Sequence, residues 1–117
     1  MQDRPTAAEL VEAVHEYLEH AVWPELEGHT AFHMRVTLKV LDTLRRELEL
    51  GPAQDAAQQA RLEALLGHDG DTATLERELA RGLRDGSVDD ARADVNEHVR
   101  ATVREKLLVS NPAYLDD

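Results

Sequence analysis

The sequence predicts an all-α protein, a compact bundle of about five helices with a central helix near residues 30–50. Strong helix formers (Ala, Leu, Glu and Arg) dominate the chain, whereas it has only one Trp, two Tyr and one Phe. No Asn-Gly or Asp-Gly pair separates alternating apolar segments, the pattern that signals a β-hairpin. Apolar residues instead recur at helical spacing between Gly and Pro breakers. With 117 residues, the chain is expected to form one helical domain over residues 1–117.

The first helix is predicted from about Ala7 to Val22. Thr6 and Glu9 have the spacing of a capping box, in which each side chain binds the other residue's backbone N–H. The ring of Pro24 ends the helix. The predicted apolar stripe is formed by Leu10, Val11, Val14, Leu18, Ala21 and Val22.

The second helix is predicted over residues 30–50, with Gly51-Pro52 as its C-cap and stop. Its apolar residues cover an arc of roughly 240°, much wider than the roughly 100° of a surface helix. This breadth predicts a central helix that its neighbours cover on most sides. One narrow polar strip remains, formed by Arg35, Lys39, Asp42 and Arg46.

The third and fourth helices have similar boundary signals. The third is predicted from about Ala53 to Leu66. The fourth begins after a cap at Asp71 or Thr72 and ends at Gly86. Its apolar stripe consists of Leu75, Leu79 and Leu83.

The fifth helix is predicted to follow a cap at Asp89 or Asp90 and to stop at Asn111-Pro112. Its apolar stripe consists of Ala91, Val95, Val99, Val103 and Leu107. In the short tail that follows, Tyr114 and Leu115 are expected either to fold back onto the helices or to anchor another protein.

The composition excludes several classes of function. There are 13 basic and 24 acidic residues, a net charge of −11, so nucleic acid and anionic lipid would be repelled. The absence of cysteine excludes disulfides, thiolate zinc sites and cysteine nucleophiles. The segment MQDRPTAAEL lacks the features of a signal peptide, and no apolar run approaches the ~20 residues of a membrane span. We therefore expect a cytoplasmic protein with neither a membrane nor a nucleic acid partner.

His33 is the residue whose chemistry is most open. Its helical phase lies between those of Val40 and Leu44, which predicts a buried side chain. A buried imidazole must be hydrogen-bonded, so we expect His33 to be a structural polar residue that fixes helix register. A role in ligand binding or proton transfer is the alternative.

Metal binding and catalysis have little support in the sequence. His29 and His33 have i, i+4 spacing, and Glu12 with His15 forms one Glu-x-x-His, but a di-iron bundle needs two such helices. His-Glu-x-x-His, Gly-x-Ser-x-Gly and phosphate-binding glycine motifs are absent. We expect no catalytic residue, no metal and no cofactor.

The second helix and the C-terminal tail carry the best candidates for partner binding. The basic strip of the second helix either pairs with the acidic first helix or contacts an anionic partner or a phosphate-bearing ligand. The predicted partner-binding residues are Phe32, Arg35, Lys39, Arg46, Asn111, Pro112 and Tyr114.

Three blocks, RPTAAELVEAV, AFHMRV…LRRELELGP and NPAY, resemble a family of small all-helical bacterial proteins without assigned catalysis. The resemblance covers essentially the whole chain, although Lys39 stands where the family has a polar Asn. It implies a gene neighbourhood with aminoglycoside-phosphotransferase-like kinases and acyl-CoA dehydrogenases. It also implies a role as the small partner subunit of such a kinase, which phosphorylates hydroxyacyl-CoA thioesters.

Two functions from different classes therefore remain. The first is a non-catalytic accessory subunit of a kinase that acts on hydroxyacyl-CoA. The second is a stand-alone helical module that binds a small molecule or a metal around His33. A homodimeric scaffold is a third possibility, supported by the helical composition alone.

Overall fold

The computed structural model describes residues 3–116, and these are helical with no strand. The elements are α1 (Ala7–Tyr17), a π-helical turn (Leu18–Val22), a 3-10 turn (Trp23–Glu25), α2 (Gly28–Leu66), α3 (Thr72–Asp85), α4 (Ala93–Ser110) and a second 3-10 turn (Pro112–Asp116). The all-α prediction is confirmed, with four α-helices in the described residues where about five helices were expected.

The chain divides into two compact units. The first comprises the residues up to Gly51 together with Val109–Asn111, and the second comprises Pro52–Leu108 and the residues from Pro112 onward. The first unit thus contains α1 and the N-terminal part of α2. The second contains the rest of α2, α3 and most of α4.

The prediction that Gly51-Pro52 ends a helix is wrong, because α2 continues through both residues to Leu66. Pro52 cannot donate the hydrogen bond that the Leu48 carbonyl would accept in a regular helix. Two features favour continuation nevertheless. Gly51 has no Cβ to clash with the proline ring, and the sequence on both sides is rich in Glu, Leu, Ala and Gln.

Helix α1 starts as predicted. Thr6 Oγ1 accepts from the Glu9 backbone N–H at 3.1 Å, and Glu9 Oε1 accepts from the Thr6 backbone N–H at 2.9 Å. In the first unit, Trp23 Nε1 donates to the Ala31 carbonyl at 3.1 Å, and Leu38 is buried. The Trp23 hydrogen bond joins the start of α2 to the preceding 3-10 turn.

The second unit has the larger buried core. Leu62 and Leu75 are fully buried, and Leu79 packs with them. Both predicted ends of α3 are confirmed: Asp71 Oδ1 accepts from the Thr74 backbone N–H at 2.9 Å, and Gly86 adopts the left-handed conformation at φ 85°.

The predicted cap of the last helix is wrong, because α4 begins only at Ala93. Asp89 Oδ1 accepts from the backbone N–H of Ala91 at 2.9 Å, so its carboxylate closes a turn before the helix. None of the helices within residues 3–116 is long and apolar enough to cross a membrane.

Candidate interaction surface

The N-terminal part of α2 exposes a row of large apolar side chains, which we call the apolar ridge. Its members recur at every fourth position, and all are exposed: Phe32, Val36, Val40, Leu44 and Leu48. At 1.5 Å per residue, the row extends for roughly 24 Å along the helix. Side chains spaced by four form a ridge that can pack into the groove of another helix. Large exposed apolar patches of this kind mark interaction sites.

The ridge contradicts the expectation that the second helix is covered on most sides. In the first unit, Leu38 on the opposite side of α2 is buried, and Met34 and Leu41 are half-buried. The remaining members of the wide apolar arc are exposed. The side chains of this arc are apolar as predicted, but the chain covers only part of the arc.

His33 is exposed, so the prediction of a buried structural histidine is wrong. Its phase places it beside Val40 and Leu44 as expected, but that side of α2 is the uncovered one. The His33 ring meets Phe32 edge-on, with ring centroids 5.7 Å apart and an interplanar angle of 73°. His33 therefore belongs to the ridge surface.

Two cations, Arg35 and Lys39, form an edge beside Phe32, which we call the cationic edge. Both are exposed, and their side chains form no hydrogen bond or ion pair with any described residue. The alternative that they pair with the acidic first helix therefore has no support in the described contacts. Unpaired cations are notable in a chain with a net charge of −11.

Arg46 is not part of that free edge. It is half-buried, and its Nε donates to the Val109 carbonyl at 2.8 Å. Val109 lies in the last turn of α4, whose carbonyls have no partner within the helix. Arg46 thus caps the C-terminal end of α4. The strip residue Asp42 also has an internal partner, His15 Nε2 at 3.3 Å.

The remaining predicted contact residues lie near the C-terminus. Asn111 and Tyr114 are exposed, whereas Pro112 is half-buried at the start of the last 3-10 turn. Leu115 is half-buried, and the Tyr114 ring beside it is available to a partner. Asn111 belongs to the first unit, and Pro112 and Tyr114 belong to the second.

The second unit contains a group of polar side chains that sequence reasoning missed, which we call the polar seam. It consists of Gln54, Gln58 and Arg61 from α2, Glu76 from α3, and His98, Thr102 and Glu105 from α4. His98 is only 4% exposed, and no buried side-chain nitrogen or oxygen of the described residues lacks a partner.

The geometry of the seam defines the tautomer of His98. Arg61 Nε donates to His98 Nδ1 at 3.2 Å, and arginine is always a donor. Nδ1 is therefore unprotonated, and Nε2–H donates to Glu76 Oε1 at 3.1 Å. Arg61 also pairs with Glu105, 2.7 Å from its Oε1. The arrangement orients the three helices that contribute to the seam.

An apolar groove with a volume of about 180 Å³ lies between α3 and α4 in the second unit. Its lining residues are Glu76, Leu79, Ala80, Leu83, His98, Val99, Thr102 and Val103. Val99 and Val103 belong to the predicted apolar stripe of this helix, yet both are about half exposed. Helix α4 therefore turns His98 and Thr102 toward the interior more than its valine stripe suggested.

The shifted pKa values occur at turns and exposed ion pairs. Hydrogen bonds from Thr6 lower the pKa of Glu9, and those from Thr74 lower the pKa of Asp71. A hydrogen bond to Glu78 raises the pKa of His68. Within residues 3–116, no three His, Asp or Glu side chains are grouped as metal ligands would be.

These features define an all-helical protein with exposed apolar and cationic surfaces and a polar network inside its second unit. A family model described as a domain of unknown function (DUF6285) matches residues 24–114. The chain belongs to this family, and the matched region includes all of α2, α3 and α4. No curated protein and no solved structure matches the chain.

Proposed function

We propose that this protein is a non-catalytic accessory subunit that binds an aminoglycoside-phosphotransferase-like kinase acting on hydroxyacyl-CoA substrates. The observation that carries the interaction role is the exposure of large apolar side chains on the first unit, next to two unpaired cations. The kinase as partner is supported by the resemblance of the three sequence blocks.

The cationic edge is the part of this surface best suited to select a partner. Arg35 and Lys39 are one helical turn apart and have no internal partners to exchange. Exposed charges at the rim of an interface accelerate association and exclude partners of the same sign. We therefore infer that the kinase presents acidic side chains to this edge.

Co-expression with the neighbouring kinase-like protein tests the proposal directly. A stable complex on size-exclusion chromatography is the expected result, and separate elution of the two proteins would overturn it. The double variant Arg35→Glu, Lys39→Glu should weaken the complex by roughly 30-fold or more, because it removes two exposed ion pairs of about 1 kcal/mol each and adds repulsion from the acidic partner.

The matched control is Arg100→Glu, Arg104→Glu on α4. These two arginines are also exposed, have the same i, i+4 spacing and undergo the same change in charge. The control should leave the affinity within about twofold of the wild type. Equal weakening by both double variants would show that net charge matters and the cationic edge does not.

The groove between α3 and α4 favours a second candidate, a module that binds a small apolar molecule. The sequence predicted such a site around His33, but the groove lies beside His98. A melting screen with hexanol and hexylamine tests this candidate. Ala80→Trp, which fills the groove, should abolish any rise in melting temperature. If neither probe raises the melting temperature of the wild-type protein, this candidate function is refuted.

A further inference from the structure

The apolar ridge is symmetric about Val40. Val36 and Leu44 are equally distant from Val40 along α2, and so are Phe32 and Leu48. We propose that the ridge binds the same ridge of a second copy of this chain, antiparallel, with Val40 at the two-fold axis. This dimer goes beyond the proposed function, because it needs no second kind of protein.

The apolar pairing follows from the symmetry of such an interface. In a two-fold interface, if one residue contacts a second residue of the partner, then that second residue contacts the first residue of the partner in the same way. Antiparallel ridges centred on Val40 place each large apolar residue opposite another one.

Two polar residues on the same face favour this arrangement over others. His33 and Glu47 are exposed and equally distant from Val40. An antiparallel pair centred on Val40 therefore brings His33 opposite Glu47 of the partner subunit, and the two-fold axis produces two such pairs. A parallel two-fold pair would instead place Glu47 against its own copy, and like charges across an interface are unfavourable. A shift by one helical turn would leave both residues without these partners.

The threonine hydroxyls beside the apolar ridge do not oppose its burial. Thr37 Oγ1 donates to the His33 carbonyl at 2.9 Å, and Thr43 Oγ1 donates to the Lys39 carbonyl at 3.2 Å. Both hydroxyls are satisfied inside their own helix, so neither needs water or a partner when a second helix covers them. Arg35 lies beyond the edge of the face and stays in solvent.

The mass of the purified full-length chain tests the dimer without the kinase. We expect twice the chain mass of 13.1 kDa by light scattering at micromolar concentration. Val40→Glu places two carboxylates together at the axis and should weaken the dimer at least roughly 100-fold, giving a monomer. The control Val103→Glu alters a valine of similar exposure on α4, 51% for Val103 against 61% for Val40, and should remain dimeric.

Cysteine pairing tests the register, because the natural chain has no cysteine. Val40→Cys should form an intersubunit disulfide with its own copy on mild oxidation, since such a bond needs Cα atoms within about 7 Å. Val36→Cys and Leu44→Cys should cross-link poorly alone and efficiently when mixed. Val103→Cys serves as the control and should not cross-link.

Each outcome decides the proposal. A monomeric wild-type chain at 100 µM overturns it, and so does a dimer that Val103→Glu dissociates and Val40→Glu does not. If the chain is monomeric and Val40→Glu abolishes kinase binding, the ridge belongs to the kinase, and the dimer is overturned while the proposed function stands. A dimer that binds no kinase supports this inference and refutes the proposed function.

Discussion

Replacing glycine with alanine inside a helix usually stabilises the protein, but at Gly82 on α3 the added methyl group should destabilise it. The residue is buried, and a Cβ built on its backbone would lie 2.5 Å from Val88 Cγ2 and 3.3 Å from Val88 Cβ. Carbon atoms pack at about 3.5–4.0 Å, so Gly82→Ala forces Val88 to move by roughly 1 Å. Val88 resists this movement because its backbone N–H donates to the Gly82 carbonyl at 3.0 Å.

Two opposing terms set the magnitude. Replacing glycine with alanine inside a helix lowers the free energy of the folded state by about 1 kcal/mol. Overpacking a filled site costs about 1–3 kcal/mol, and we take about 2 for a single methyl against a restrained valine. The free energy of unfolding should therefore fall by about 1 kcal/mol in Gly82→Ala.

Urea unfolding followed by circular dichroism, in the wild-type and Val88→Ala backgrounds, tests this reasoning. Truncating Val88 removes Cγ2, so in that background Gly82→Ala should raise the free energy of unfolding by up to about 1 kcal/mol. The sign reversal corresponds to a coupling of about 2 kcal/mol between the two positions. The same stabilisation in both backgrounds would refute the contact between Gly82 and Val88.

Three further predictions concern helix ends and an exposed ion pair. Thr6→Ala removes one half of the capping box and should lower the free energy of unfolding by about 1 kcal/mol in chemical denaturation, whereas Thr6→Ser should not. Pro52→Ala restores a backbone donor inside α2 and should raise the melting temperature, because the free energy of unfolding should rise by up to about 3 kcal/mol. A melting temperature below that of the wild type would indicate that the proline stabilises the helix there. Because Glu78 raises the pKa of His68 in the folded state, Glu78→Gln should lower that pKa in an NMR titration. The pair stabilises the fold below the unfolded histidine pKa of about 6.5, and this contribution disappears as the pH rises through the folded value, so Glu78→Gln should be destabilising at pH 5 and neutral at pH 9.

Local signals in the sequence predicted much of the helical framework. The capping box at Thr6, the cap at Asp71 and the left-handed Gly86 are each fixed by short-range hydrogen bonds or backbone sterics, and each is confirmed. Pro52 does not end the helix, although proline usually does, because the surrounding sequence favours helix. Glycine before it and strong helix formers on both sides outweigh one missing hydrogen bond.

The candidate site was less accessible to sequence reasoning. Helical phase placed His33 among Val40 and Leu44 correctly, but periodicity shows which residues share a face and not whether this chain covers that face. His98 was missed because apolar periodicity ignores polar residues. A signal was present: Gln54, Gln58 and Arg61 repeat at i, i+4, i+7 on α2, and His98, Thr102 and Glu105 repeat in the same way on α4.

The polar seam has a consequence for how uniquely the second unit folds. Leucines in a helical interface can slide by one turn and still find apolar neighbours. A guanidinium that must meet both an imidazole nitrogen and a carboxylate has only one satisfactory alignment, as Arg61 does with His98 and Glu105. Apolar replacements of similar volume often equal or exceed the stability of such a network. We infer that the polar seam fixes the alignment of the helices. A version with leucines at these positions would resist heat better but would lack a single defined packing.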